Sequence, residues 1–457
     1  GKLQHQEKCS CGAATRSHAD QQVDLVREYE EARKTTGAEP KEVKCVQGLI
    51  SADKVFEPLA KGVLRAKHGV YVFRDGTCRY DATEVPITHF VPKETGVDVQ
   101  KLRELGYEKD WRGKPLENED QTIELFPQDV IISDHNADYF LRLAAFVDDL
   151  LVYYYGLPPY HNAKTREDLL GQLVIAIAPH ISAGITGRII GFTPVRGLLM
   201  HPYMHCATRR NADGDEDALM LLMDALLNFS KSYLPSTRGG KMDACLVLTT
   251  LLDPAEVDDE AHAMDACAEY PLEFYHATER FAAPSEVKLD TIATRLGKES
   301  QYEGIGFTHE ARLEGPTQTR YVLFKNMRQK VEDELALMNS LRSVDAANAA
   351  ERIILSHFFP DLYGNMHSFG KQSFRCVDCG AKFRRVPLRG KCSKCGGKII
   401  LTIHKGGIEK YLQLSKDMID RYGLPLYMKQ RIMLLEKEIA SMFEDDKSKQ
   451  FSLAQYF

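Results

Sequence analysis

The sequence predicts an α+β protein built from more than one domain. Three observations predict it. Short β-branched runs punctuated by Gly, Pro and Asp-Gly extend from Val43 to about residue 252. Helical patterns dominate from about 323 to 358 and return from about 426 to 443. A cysteine-rich basic module occupies residues 371–405 between them. The 457 residues suffice for two or three cores. A composition of 44% hydrophobic and 27% charged residues excludes a largely disordered chain. The net charge of −6 excludes a global basic signature, so any nucleic-acid contact must come from local patches. No apolar run is long enough to span a membrane. The first residue is Gly1 rather than Met, as expected of a fragment or a processed piece.

Residues 1–40 begin with Cys9-Ser-Cys11-Gly12 and continue into "DLVREYEEARKTTG", which suits an exposed helix or linker. Cys9 and Cys11 fit either the trailing half of a zinc site begun upstream or two unpaired thiols. Residues 41–300 form the β-rich region. "GVYVFRDGTCRYD" alternates around Asp75-Gly76 and predicts a hairpin with a type I′ turn, which needs positive φ at both central residues. "IELFPQDVIIS" reads as a further strand, and residues 137–155 as an amphipathic to buried helix. "LLGQLVIAIAPHISAGITGRIIGF" reads as buried strands joined by tight turns. Ala218 to Phe229 reads as an apolar helix and "DACLVLTTLL" as another buried strand. Residues 301–425 are helical and carry the cysteine module. Residues 426–457 comprise a last helix and a charged tail expected to be disordered.

The sharpest chemical feature is Asn211-Ala-Asp213-Gly-Asp215-Glu-Asp217, preceded by Arg209-Arg210. Alternating carboxylates on a tight loop converge on a hard divalent cation, and Gly214 permits the bend. Magnesium held by Asp213, Asp215 and Asp217 would suit phosphoryl transfer. An EF-hand is excluded, because a loop starting at Asp213 would need Gly where Ala218 stands and Glu where Asp224 stands. A solvated acidic turn remains the competing reading, with Asp217 as the cap of the helix behind it.

Other residues suggest phosphate contact. Arg209 and Arg210 offer guanidinium forks, with local charge balance as the alternative. His180 and Arg188 lie in "PHISAGITGR", which could face the same cleft, and Lys241 follows two glycines in "RGGKMD". His201 and His205 read as structural rather than catalytic, and Asp258-Asp259-Glu260 as a solvated helix start, with a second acidic site as the alternative.

Cys376-x-x-Cys379 and Cys392-x-x-Cys395 are separated by twelve residues, and a Gly follows each pair. Two such knuckles close a tetrahedral thiolate site on zinc, in a zinc ribbon-like module with a structural role. Residues 371–405 contain ten Lys or Arg against one Asp, which suits either a DNA-backbone contact or a ribbon that touches another protein. The chain ends Gln450-x-x-Leu453-x-x-Tyr456-Phe457. This resembles the sliding-clamp binding box, in which an aliphatic and two aromatic side chains form one plug and the Gln bonds at its edge.

"NADGDED" is similar to the "NADFDGD" loop of multisubunit RNA polymerases. With "HNAKTREDLLGQLVIAIAPHISAGITGRIIGF", "HPYMHCATRRNADGDED", "RGGKMDACLVL" and "LDPAEVDDEAHAMD", the chain more closely resembles the large subunit of the archaeal D-family DNA polymerases. The resemblance extends through "EPLAKGVLRAKHGVYVFRDGT" to the cysteine module. It implies a double-psi β-barrel catalytic core with helical insertions, and a second barrel upstream of Gly1. It also implies DNA-directed DNA polymerase activity on primer-template DNA and dNTPs in the cytoplasm. The implied partner is a small subunit that supplies 3′–5′ exonuclease activity in a heterodimer. Asp213 and Asp215 match the family's metal-binding catalytic aspartates, and Asn211 its loop asparagine. Thr208 departs from the lysine expected there, which puts one phosphate contact in doubt. The alternatives are an RNA polymerase-like catalytic subunit and a non-catalytic zinc-containing DNA-binding replication scaffold.

Overall fold

The structure is a computed structural model that describes residues 8, 10, 12, 14, 23–46, 56–209, 211, 213–235, 237–306, 313, 317 and 320–443. Cys9, Cys11, Arg210 and the clamp-box residues Gln450, Leu453, Tyr456 and Phe457 lie outside the described residues. The chain divides into two compact units, Gly1–Gln318 and Thr319–Phe457.

The first unit opens with helix α1 (Leu25–Thr36), where the Asp24 side chain accepts from the Val26 and Arg27 amides and Gly37 closes the helix at φ +61°. Helix α2 (Leu59–His68) packs beside it. The segments that follow form β1 (Tyr80–Pro86), β2 (Asp129–Ser133), β3 (Leu173–Ile177), β4 (Ala183–Thr193), β5 (Leu198–Met200), β6 (Glu216–Leu221) and β7 (Val247–Thr249). Their order is β2-β5-β1-β6-β3-β4, and β4 pairs back onto β2, so six strands close into a barrel. The β1–β5 and β2–β4 pairs are parallel, and the other barrel pairs are antiparallel. β7 adds to β4 outside the ring.

β2 and β5 are buried throughout, and β3 and β6 past their first residue, so both faces of these strands are covered. Val130 and Ile132 pack into one core with Phe140, Leu143 and Val147 of helix α3 (Asp134–Asp149). Ile131, between them, faces another core with Phe90, Leu102 and Ile123. The alternation follows from the twofold period of a strand.

Several sequence expectations change. "IELFPQDVIIS" supplies two strands, Ile123–Glu124 and β2. Residues 218–221 are strand, and the helix behind them is only α5 (Leu222–Asn228). Asp217 therefore lies inside β6 and caps no helix. A short apolar run carries no periodicity that separates strand from helix, and pairing on both sides with β1 and β3 decides it. β7 is not buried: Val247 is 60% exposed at the sheet edge. The turn at Asp75-Gly76 is not type I′, because only Gly76 has positive φ. Instead the Asp75 carboxylate accepts from the Thr77 amide at 3.0 Å and hydroxyl at 2.7 Å, and Phe73 N–H donates to Thr77 O.

The second unit packs α6 (Met327–Ser340), α7 (Ala346–Ile353), α8 (Phe359–Lys371), α9 (Leu412–Tyr422) and α10 (Leu426–Phe443) around Leu335, Phe359, Met418, Ile432 and Leu435. Between α8 and α9 sits a three-stranded ribbon, Lys382–Phe383, Phe374–Cys376 and Ile399–Ile400 in spatial order.

Candidate active site

The acidic loop connects helix α4 (Pro202–Ala207) to β6. His201 caps α4 by accepting from the Tyr203 amide at 3.1 Å. At the other end Arg209 turns to φ +65°, its amide donating to Cys206 O at 3.0 Å. Thr208, where a lysine was expected, is buried and donates its hydroxyl to His205 O at 2.6 Å. The loop then projects from the barrel end. Asn211, Asp213, Gly214, Asp215 and Glu216 are all exposed, and Gly214 sits at φ +99°. The Glu84 amide of β1 donates to Asp215 O at 2.8 Å and ties the loop to the barrel.

The three alternating aspartates are divided by this geometry. Asp213 and Asp215 present carboxylates at the surface, whereas Asp217 is fully buried. β6 has already begun at Glu216, so strand pairing fixes which way Asp217 points. Its Oδ2 lies 3.5 Å from His205 Nδ1, and Glu84 Oε1 lies 3.6 Å from the same nitrogen. All three side chains have zero exposure. Burial works against the charged His205 imidazole, but the two carboxylates outweigh it and raise its pKa. His201 has no such partners: burial, with repulsion from His89 and His205, pushes it down to about 3.

The turn between β3 and β4 belongs to the same barrel end, because Ile177 pairs with Ala218 just beyond the acidic loop. His180 in this turn is exposed and has φ +69°. Asp243 joins the turn to the segment carrying Lys241. Its carboxylate accepts from the His180 amide and from Arg74, and its amide donates to Ile181 O at 2.7 Å. Ser182 donates to Lys241 O at 3.0 Å, and Lys241 is half-buried. His180 and Lys241 are thus brought together. Arg188 is not free to join them: its Nε and a terminal nitrogen bind the two Asp129 oxygens at 2.9 and 2.7 Å. Burial raises the Asp129 pKa, against the pull of Arg188 and of Tyr107, whose hydroxyl donates to Asp129 at 2.6 Å.

In the second unit Cys376, Cys379, Cys392 and Cys395 converge, with all four Sγ atoms within 4.8 Å of one another. Cys376 lies 3.4 Å from Cys395, and Cys379 3.6 Å from Cys392. Zn–S bonds of about 2.3 Å at tetrahedral angles put sulfurs roughly 3.7 Å apart. The cluster therefore fits a four-thiolate zinc site.

Sequence reasoning missed Glu84, Asp243 and the buried Glu57–Arg65 pair, which is bidentate at 2.8 and 2.6 Å. No local motif marks Glu84 or Asp243. The apolar context of Arg65 in "VLRAKHGV" was the available signal for that pair.

A sequence-family model for "DNA polymerase II large subunit DP2, catalytic domain" matches residues 36–330. The chain belongs to this family. The match contains the whole barrel, the acidic loop and the segment around Lys241. The chain is 51% identical over 453 residues to the DNA polymerase II large subunit of Archaeoglobus fulgidus, covering 98% of this chain and 40% of that protein. It is 49% identical over 462 residues to that of Methanosarcina barkeri, covering 100% of this chain and 40% of that protein. It is 55% identical over 406 residues to that of Pyrococcus furiosus, covering 88% of this chain and 32% of that protein. The chain therefore spans well under half the length of these large subunits. No described helix is long and apolar enough to cross a membrane.

Proposed function

We propose that this chain carries the catalytic loop of a DNA-directed DNA polymerase large subunit. The primer 3′-hydroxyl attacks the α-phosphate of the incoming dNTP, and pyrophosphate leaves. The observation that carries this reading is the pair of exposed carboxylates, Asp213 and Asp215, around Gly214 on a loop tied to the barrel end. Their hard oxygen donors suit magnesium. Magnesium bound there would stabilise the charge developing on the attacking and leaving oxygens. Asn211 supports the loop. Arg209, Arg210, His180 and Lys241 contact phosphate oxygens of the triphosphate or primer. The closed six-stranded barrel with two parallel pairs supports assignment as a double-psi barrel.

In this reading zinc fills the four-cysteine site, and the basic ribbon follows the DNA backbone. The C-terminal Gln450, Leu453, Tyr456 and Phe457 engage a sliding clamp. A small subunit with 3′–5′ exonuclease activity completes a heterodimer. The deciding experiment is an Asp213→Ala plus Asp215→Ala double variant in the assembled enzyme. Primer extension should be abolished, and unchanged extension would overturn the reading.

A further inference from the structure

We infer that Glu84, His205 and Asp217 form a buried site for one divalent transition-metal ion, separate from the exposed Asp213–Asp215 pair. The three residues come from β1, α4 and β6. Ala82 pairs with Asp217, so Glu84, two residues further along β1, lies on the same face as both. His205 reaches that face from α4, which contacts β1. One nitrogen and two carboxylate oxygens thereby come within 4.8 Å of one another in a place sealed from solvent.

The spacing is that of ligands. A hydrogen bond would draw nitrogen and oxygen to about 2.7–3.2 Å. Donors bound at about 2.0–2.2 Å to a tetrahedral ion stand roughly 3.3–3.6 Å apart. The separations from His205 Nδ1 are 3.6 Å to Glu84 and 3.5 Å to Asp217. Neither Glu84 oxygen and neither His205 nitrogen has a hydrogen-bond partner among the described residues. The Glu84 carboxylate, buried and without a hydrogen bond among the described residues, requires compensation that a metal ion would supply. A mixed imidazole and carboxylate set selects zinc, manganese or iron over magnesium. The ion would pin both stems of the acidic loop, since His205 precedes it and Asp217 follows it.

The test is metal content by elemental mass spectrometry on the assembled enzyme after dialysis against metal-free buffer. His205→Gln and Glu84→Gln should each lose one equivalent of zinc, manganese or iron relative to wild type. A Cys376→Ser plus Cys379→Ser variant should lose a different equivalent, and the losses should add when combined. Equal metal content in wild type and both cluster variants would overturn the proposal. Wild-type crystals grown with zinc or manganese provide a second test that needs no folded variant. Anomalous density should lie between Glu84, His205 and Asp217, and its absence there would also overturn the proposal.

Discussion

Glu84 holds the acidic loop through its backbone: its amide donates to Asp215 O at 2.8 Å, while its carboxylate turns inward to His205. One residue of β1 thus sets where the exposed carboxylates begin and where the buried cluster lies. Consequences follow for chemistry and for stability.

Asp213→Asn and Asp215→Asn, made singly, should each lower the primer-extension rate by at least about 10³-fold, since metal-assisted charge stabilisation contributes several kcal/mol. Both side chains are exposed, so the melting temperature should not fall. Single-turnover extension and thermal unfolding on the same preparations separate the two effects. A variant that is inactive only because it unfolds would contradict the assignment.

Arg65 is fully buried and binds Glu57 bidentately while donating to Gly76 O at 2.8 Å. Arg65→Met should cost about 3–5 kcal/mol by stranding the Glu57 carboxylate. Breaking the solvent-exposed Arg328–Asp417 pair should cost far less, because water screens it. Denaturant unfolding of the two variants should rank them in that order.

Asp224 is buried beneath the Asp75 turn, accepting from the Cys78 amide at 2.7 Å and from Asn228 at 2.8 Å. Burial raises its pKa from 3.8 to about 6. The folded state thus binds the proton more tightly than the unfolded chain. This contribution is full below pH 3.8 and is lost as pH rises through about 6. The loss amounts to about 3 kcal/mol. Asp224→Asn has no charge to ionise, so its stability relative to wild type should climb between pH 4 and 7. A difference that stays flat with pH would contradict the burial argument.

Removal of metal from the ribbon by a chelator, or Cys376→Ser, should raise amide exchange across residues 374–400. The three short strands bury little apolar surface of their own, so thiolate ligation must supply most of their order. Unchanged exchange after complete metal loss would show that the ribbon holds without it.

Deletion of residues 450–457, or Tyr456→Ala plus Phe457→Ala, should weaken sliding-clamp binding by at least about tenfold. Extension on a primed template without clamp should be unchanged. Calorimetric titration with the clamp measures the first, and a clamp-free assay the second.

The local chemistry was legible in the sequence because it is written in short spacings. The CxxC pairs, the alternating aspartates with Gly214 and the helix at 426–443 all depend on residues a few positions apart. The β-branched runs punctuated by Gly and Pro also marked β3 and β4. Closure of the barrel was not legible, because the return pairing of β4 on β2 joins residues almost sixty positions apart. The same holds for the fate of side chains at one point. Asp213, Asp215 and Asp217 are equivalent in sequence, yet pairing of β6 with β1 exposes two and buries the third against His205. Arg188 read as a phosphate ligand until its neighbour across the sheet, Asp129, was known. The sequence by itself determined the short motifs, the paired CxxC knuckles and the alternating aspartates around Gly214. Tertiary structure alone decided which of them face solvent and which face one another, because strand pairing and burial act between segments that carry no mark of each other.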